Sequence, residues 1–168
     1  MEPLVWMVAG LAIVYYGIMG YIQYSGIDLR PKIGVGVIVF ENEQRKRILL
    51  GKRIGGSHGN NTWQLPGGHM EYKETLYECA YRELKEETNL RAMGMREGPY
   101  VNCVFEKEAL HYVTLLTIVD KFEGTLVNME PKKCEGWRWV SNDELHHYKL
   151  FGPLELLLKE CNNDLASL

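Results

Sequence analysis

The sequence has little cysteine and little net charge. It contains four widely spaced cysteines, none of them in a C-x-x-C pair: Cys79, Cys103, Cys134 and Cys161. This spacing argues against a zinc site and against a disulfide-stabilised secreted fold. A formal net charge of -3 argues against a surface that coats nucleic acid, and 46% hydrophobic residues argue against disorder. Internal repeats and low-complexity tracts are also missing, so one globular domain is predicted.

Charge is absent from residues 4–22, a nineteen-residue run that is mostly apolar. A membrane-spanning helix needs about 20 apolar residues, and tyrosines gather toward one end of the run, as at a membrane interface. The run therefore predicts a hydrophobic helix that inserts into a membrane, with the rest of the chain facing the cytosol because basic residues follow the run. A helix buried in a protein core is the alternative, and without insertion the protein is expected to be cytoplasmic.

The remaining sequence predicts a folded domain over residues 33–168, with residues 1–32 as helix and linker. Residues 34–41 and 47–53 are short and rich in aliphatic residues, which predicts two strands joined by a polar hairpin. Further strands follow in the middle of the chain. A last helix is expected to begin at Pro153, a residue favoured in the first helical turn. The predicted fold is a layered α/β domain.

Glutamates are concentrated in residues 68–90. Leu76, Ala80 and Leu84 recur at helical spacing and predict a helix over residues 74–87. Because residues three and four apart are neighbours on a helix, the glutamates at its end share one face.

Three of these glutamates, Glu83, Glu86 and Glu87, repel one another unless a cation neutralises them. Mg²⁺ suits carboxylate ligands and is commonly shared with substrate phosphates. The glycine turn upstream would let a carbonyl of Gly67 approach the same ion. A solvated acidic helix face is the alternative.

The spacing of the segment is more specific than its charge. Gly68 is followed after five residues by Glu74 and, after seven more, by the run Arg82–Glu87, whose sequence is RELKEE. This resembles the Nudix box, G-x5-E-x7-R-E-U-x-E-E-x-G-U, in which U is a bulky aliphatic residue. Asn89 stands where the box has its last glycine, and asparagine tolerates the left-handed conformation expected there.

The segments GVGVIVF, ILLGKR, WQLPGGHMEYKET, HYVT and EPKKCEGWRWV extend the similarity over roughly residues 33–160. They resemble the MutT-like nucleotide diphosphatases of the Nudix family, most closely the group that includes the human thiopurine-nucleotide diphosphatase. The resemblance implies a Nudix-type α/β/α sandwich with a mixed sheet, here preceded by the N-terminal hydrophobic helix.

The resemblance also implies roles for individual residues. The implied metal ligands, for Mg²⁺ or alternatively Mn²⁺, are Gly67, Glu83, Glu86, Glu87 and Glu130. Glu74 would hold Arg82, and Gly68 would support the turn. The implied substrate-binding residues are Arg53, His69, Trp137 and Phe151. Each of the less specific assignments has an ordinary structural alternative: surface charge for Arg53 and Glu130, and core packing for Trp137.

The implied activity is metal-dependent hydrolysis of nucleoside triphosphates to nucleoside monophosphate and pyrophosphate. The box glutamates would be catalytic, with either Glu83 or Glu86 as general base. The alternatives are another diphosphate-linked substrate, such as a nucleotide sugar, a dinucleoside polyphosphate or capped RNA, and a Nudix-like module that binds phosphates without cleaving them. The expected partner is the nucleotide substrate, and a homodimer is a further alternative.

Overall fold

The computed structural model describes residues 14–18, 20, 30–56 and 58–168. The chain divides into two units, Met1–Arg30 and Pro31–Leu168. In the first unit, residues 14–18 and 20 are helical. The boundary predicted near residue 33 stays a prediction.

The predicted membrane anchor requires a correction. Most of residues 4–22 lie outside the described residues, and the hydrophobic helix predicted there is not supported. Among the residues that the structure describes, no helix is both long enough and apolar enough to cross a membrane. The predicted membrane-anchored, cytosol-facing localisation is wrong. Lack of charge alone was a weak criterion, because an uncharged apolar run is not specific to membrane helices.

The second unit contains nine strands and two α-helices among its described residues. The strands are β1 (Lys32–Val39), β2 (Arg47–Arg53), β3 (Trp63–Gln64), β4 (Gly67–His69), β5 (Arg91–Ala92), β6 (Arg96–Phe105), β7 (Leu110–Val119), β8 (Phe122–Glu123) and β9 (Cys134–Ser141). The helices are α1 (Leu76–Thr88) and α2 (Gly152–Glu160), and short 3-10 helices span Glu106–Glu108, Asn142–His147 and Leu165–Ser167.

The strands form three sheets. The largest has the order β4-β1-β7-β6, with β1 and β7 parallel and the other pairs antiparallel, so it is a mixed sheet as predicted. A second sheet has the order β3-β2-β9, and β5 pairs with β8. The hairpin predicted between β1 and β2 is wrong, since the two strands lie in different sheets and meet only at the Phe40–Ile48 bridge. One edge of β1 pairs with β7 and the other pairs with β4, which leaves little of β1 free for β2.

Two hydrophobic clusters place the helices in separate packing layers. Alternate β1 residues enter different clusters, because successive side chains of a strand point to opposite faces. One cluster joins strand residues to α1, and it includes Val35, Val37, Val39, Leu49, Ala80 and Leu84. The other joins strand residues to α2, and it includes Ile38, Phe40, Ile48, Leu50, Leu154 and Leu157. The result is a layered α/β fold in which α1 packs beside β4 and β1.

Candidate functional site

The helix that carries the glutamates has a well-defined start and end. Thr75 caps α1 and forms a reciprocal capping box with Glu78, an arrangement that satisfies two otherwise unpaired backbone donors. The helix therefore begins at Leu76, two residues later than predicted. Asn89 ends it in the left-handed conformation, with φ 62°. Its side chain also donates a hydrogen bond to the Thr125 carbonyl at 3.1 Å, a contact that glycine would lack.

Arg82 lies at the centre of a network of ionic hydrogen bonds. Its Nε and Nη2 donate to the two carboxylate oxygens of Glu74 at 2.6 and 2.9 Å. Its Nη1 donates to Glu83 at 2.7 Å and to Glu86 at 3.2 Å, and Nη2 also donates to the His69 carbonyl at 3.1 Å. The hydrogen bonds from Arg82 lower the pKa of the Glu74 carboxyl to about 2. Arg82 therefore holds these acidic side chains in fixed positions.

Glu87 differs from its neighbours because it is buried, with only 9% of its surface exposed. Burial first, and then the charges of Glu83 and Glu130, raise the pKa of this carboxyl to about 8. The Gly67 N–H, which donates to Glu87 Oε2 at 3.0 Å, and the charge of Lys133 lower the same pKa. A buried carboxyl beside two other carboxylates is an environment that a cation would stabilise.

Glu130 reaches this region through the loop before β9. The Met129 N–H donates to the Glu87 carbonyl at 3.1 Å, which ties the loop to the end of α1. The Glu130 carboxylate accepts from Lys133 Nζ at 2.7 Å. In the part of the chain that the structure describes, no three acidic, histidine or cysteine side chains already converge as a metal cage. Arg82 and Lys133 thus neutralise part of the acidic charge in this arrangement.

Strand β4 lies directly against the carboxylates, and its two glycines allow this close approach. Gly67 has φ 145°, and a Cβ added there would lie 3.0 Å from the Gly36 Cα. A Cβ added at Gly68 would lie 2.6 Å from the Cδ of Glu83. Any side chain at either position would therefore displace β1 or the Glu83 carboxylate.

The same strand lines a cavity of about 140 Å³ that carries little polar surface. Its lining residues come from β1, from the segment 64–69, from β7 and from the start of α2. Five aromatic or imidazole rings gather there. Phe105 and Phe151 stack with centroids 5.6 Å apart, and His58 lies 5.3 Å from Phe105. Tyr112 lies 6.2 Å from Phe105 and bonds His69 Nε2 through its hydroxyl at 2.8 Å.

One side of the cavity carries a polar pair, Arg53 and Gln64. The Arg53 guanidinium lies over the Phe151 ring, 4.5 Å from its centroid. Its Nη1 donates a hydrogen bond to Gln64 Oε1. Burial lowers the pKa of the Arg53 guanidinium. An arginine stacked on an aromatic ring and fixed by an amide is a rigid source of N–H donors.

Three of the four predicted substrate-binding residues lie at the cavity, and one lies elsewhere. Arg53, His69 and Phe151 line the cavity, but Trp137 does not. Trp137 instead packs against the hydrophobic cluster of α1, and a Cβ added at Gly51 would lie 2.7 Å from its ring. The pairing of β9 with β2 places Trp137 opposite Gly51, and its side chain packs on the face of the sheet that contacts the α1 cluster.

The sequence analysis missed other lining residues, among them His58, Gln64, Phe105 and Tyr112. They come from a loop, from β3, from the end of β6 and from β7. No local spacing connects these segments. Only the pairing of β1 with β7 and the position of α2 bring them together.

Comparisons with known proteins identify relatives of this chain. The chain is 42% identical over 129 residues to m7GpppN-mRNA hydrolase NUDT17 of Xenopus laevis, covering 71% of this chain and 41% of that protein. It is 30% identical over 129 residues to RNA pyrophosphohydrolase of Marinomonas sp. (strain MWYL1), covering 67% of this chain and 75% of that protein. The chain thus spans less than half of the first relative's length.

Solved structures show the same fold. MutT NUDIX hydrolase from Burkholderia pseudomallei superposes with a TM-score of 0.63 at 25% identity, over 68% of this chain and 85% of that one. The NUDIX domain of Shewanella oneidensis NrtR, complexed with ADP ribose, superposes with a TM-score of 0.65 at 17% identity, over 79% of this chain and 88% of that one.

These relatives do not show the narrower resemblance to thiopurine-nucleotide diphosphatases, and they give no support for a homodimer. The family itself is shown. A family model described as NUDIX domain matches residues 30–160. Together with the relatives named above, this match shows that the chain belongs to the Nudix hydrolase family.

Proposed function

We propose that the protein hydrolyses nucleoside triphosphates to nucleoside monophosphate and pyrophosphate with the help of Mg²⁺. One observation carries this proposal: β4 has an aromatic cavity on one side and the α1 carboxylates on the other. Gly67 and Gly68 line the cavity and also contact Glu87 and Glu83. A base held in the cavity would therefore place its phosphates beside the carboxylates.

The donor chemistry fits a hard divalent cation. Nudix hydrolases generally use divalent ions such as Mg²⁺. In this chain Glu83, Glu86, Glu87 and Glu130, with the Gly67 carbonyl, would supply the oxygen ligands that Mg²⁺ or Mn²⁺ prefers. The raised pKa of the buried Glu87 carboxyl supports this assignment, because a nearby cation would favour its charged form. When bound, the cation neutralises phosphate charge and orients the phosphate oxygens.

We place the general base at Glu83 in preference to Glu86. Arg82 fixes Glu83 through Oε1, and Glu83 Oε2 has no hydrogen-bond partner among the described residues. The Glu86 side chain is more exposed, at 57% against 14% for Glu83. In the proposed reaction Glu83 Oε2 takes a proton from water while the water oxygen forms a bond to the α-phosphorus. The bond from that phosphorus to the bridging oxygen breaks, and pyrophosphate leaves.

Capped or triphosphorylated RNA is the second candidate substrate. Two named relatives favour it, since one is a cap hydrolase and the other an RNA pyrophosphohydrolase. Nucleotide sugars and dinucleoside polyphosphates carry the same diphosphate linkage. A non-catalytic phosphate-binding module is disfavoured, because all the box glutamates are present.

A substrate panel in ¹⁸O water tests the proposal. The panel contains nucleoside triphosphates, a nucleotide sugar, a dinucleoside polyphosphate and short RNAs with a capped or triphosphate 5′ end. We expect Mg²⁺-dependent turnover of the triphosphates, with label in the monophosphate. Label only in pyrophosphate would place attack at the β-phosphorus, and release of single phosphate would indicate a different reaction. Glu83→Gln should abolish turnover, whereas Glu160→Gln, an exposed change on α2, should leave it intact.

A further inference from the structure

A short turn, residues 130–134, lies between the acidic end of α1 and the end of β2. The segment before it is docked on α1, since the Met129 N–H donates to the Glu87 carbonyl at 3.1 Å. The Val127 N–H donates in the same way to the Thr88 carbonyl at 3.0 Å. The last carbonyls of a helix have no partner within it, so these two bonds give the segment a fixed place beside the carboxylates.

The other side of the turn is fixed to β2. The Ile54 N–H donates to the Lys133 carbonyl at 2.9 Å. The next residue, Cys134, pairs with Arg53, which lines the cavity. The Cys134 N–H also donates to the Glu130 carbonyl at 2.9 Å and closes the turn. The backbone of Lys133 is therefore held between the carboxylates and the cavity.

The Lys133 side chain is held less firmly than its backbone. It is 75% exposed, and its Nζ donates to Glu130 Oε1 at 2.7 Å. Its charge also lowers the pKa of the buried Glu87 carboxyl, so the ammonium lies within electrostatic range of both acidic side chains. An ammonium has three N–H donors. Because an exposed ion pair adds little stability, Lys133 can exchange Glu130 for another anion at low cost.

Two other cations of the region are already committed to protein groups. Arg82 donates to three carboxylates and to a backbone carbonyl. Arg53 stacks on Phe151 and bonds Gln64. Of these three cations, Lys133 is the one that can turn toward a ligand without releasing the carboxylates of α1 or the aromatic ring.

The ion pair and the proposed metal site share one carboxylate, that of Glu130. Two cations beside the same carboxylate repel each other, so Lys133 is held less firmly once Glu130 coordinates Mg²⁺. A bound substrate brings the negative charge of its phosphates to the same place. Lysine is a common point-charge partner of phosphate.

We propose that Lys133 is a further substrate-binding residue, which leaves Glu130 and donates to a phosphate of the bound substrate. This inference rests on the proposed function, since it adds a contact at the same site. It concerns the phosphates alone and is independent of the group that occupies the cavity.

The first measurement is calorimetric binding of inorganic pyrophosphate in the presence of Mg²⁺. Lys133→Met removes the ammonium from an exposed side chain and should weaken binding by about tenfold, as expected for the loss of one charged hydrogen bond. Lys132→Met is the matched control, because Lys132 is adjacent and also exposed, and it should change the affinity by less than about twofold. Equal affinities of Lys133→Met and wild type, or no binding by the wild type, would overturn the proposal.

The second measurement separates contact with phosphate from support of Glu130. If Lys133 only positions Glu130, then Lys133→Met has no further effect once Glu130→Gln has removed the paired charge. If Lys133 contacts phosphate, Lys133→Met should weaken pyrophosphate binding by about tenfold in the Glu130→Gln protein as well. An effect that disappears in this background would refute the contact.

These affinities are independent of turnover, so this inference and the proposed function can fail separately. If no triphosphate is hydrolysed in the substrate panel, the proposed function fails, and the pyrophosphate affinities still decide the role of Lys133. If triphosphates are hydrolysed but Lys133→Met binds pyrophosphate as well as the wild type does, the assignment of Lys133 alone is refuted.

Discussion

Glu87→Gln should have opposite effects on activity and on metal-free stability. The substitution removes a carboxylate from the proposed metal site, so Mg²⁺-dependent turnover should be lost. In the absence of metal, however, the wild-type protein must keep a buried carboxyl whose pKa is raised to about 8, chiefly by burial. The introduced amide is neutral at every pH and can still accept the Gly67 N–H. The variant should therefore be more stable than the wild type at neutral and alkaline pH.

The sign and size of this effect follow from the shift in pKa. The carboxyl has a pKa of 4.5 in the unfolded chain and about 8 in the folded protein. Its contribution to stability is intact below pH 4.5 and is lost as the pH rises toward 8, because the unfolded chain then releases the proton first. The difference between a pKa of 4.5 and one of about 8 corresponds to about 5 kcal/mol in full and to about 3 kcal/mol at pH 7.

Urea unfolding in EDTA at pH 5, 7 and 9 measures the effect. The stability difference between Glu87→Gln and wild type should grow in favour of the variant across this range, by several kcal/mol. Glu86→Gln is the matched control, because Glu86 is adjacent in sequence but its side chain is 57% exposed. Added Mg²⁺ should restore the wild-type stability at pH 9 and have no effect on Glu87→Gln. Parallel pH curves for wild type and Glu87→Gln would refute the reasoning, since Glu87 would then be ionised normally in the fold.

Three further changes test the surroundings of the site. Arg82→Lys cannot hold both oxygens of Glu74, so kcat should fall by about ten- to a hundredfold, with little change in thermal unfolding. Thr75→Ala removes the cap of α1 and should lower the free energy of unfolding by about 1 kcal/mol in urea titrations. Gly67→Ala would force a Cβ into the Val35 carbonyl, so it should abolish activity and reduce the unfolding temperature; a variant with normal activity would contradict this close contact.

The acidic helix was predictable because its signals are local. Apolar residues at helical spacing and an asparagine after the last turn all lie within residues 74–90. The observed helix, Leu76–Thr88, differs from the prediction by two residues at its start and one at its end. Glu74 lies before the helix because the capping box of Thr75 fixes where the helical backbone begins.

The cavity was not predictable in the same way. The sequence suggested Phe151, but the partners of its ring, Phe105 and His58, come from segments far apart in the chain. Aromatic residues in strands are also common in cores, and Trp137 is such a case. Strand register and the packing of α2 decide which aromatic side chains line the cavity. A short stretch of sequence predicts neither of them.

In the proposed reaction, the three-residue strand β4 would link substrate binding to hydrolysis. Its backbone pairs with β1 at Gly34–Gly36, which fixes its position at the edge of the sheet. On one side it lines the cavity, and on the other its glycines contact the Glu87 and Glu83 carboxylates. Because these contacts involve backbone atoms, a base that shifts β4 also shifts the carboxylates relative to its own phosphates. Selection between bases should therefore appear in kcat as well as in KM, since a poorly seated base misplaces the reacting phosphorus.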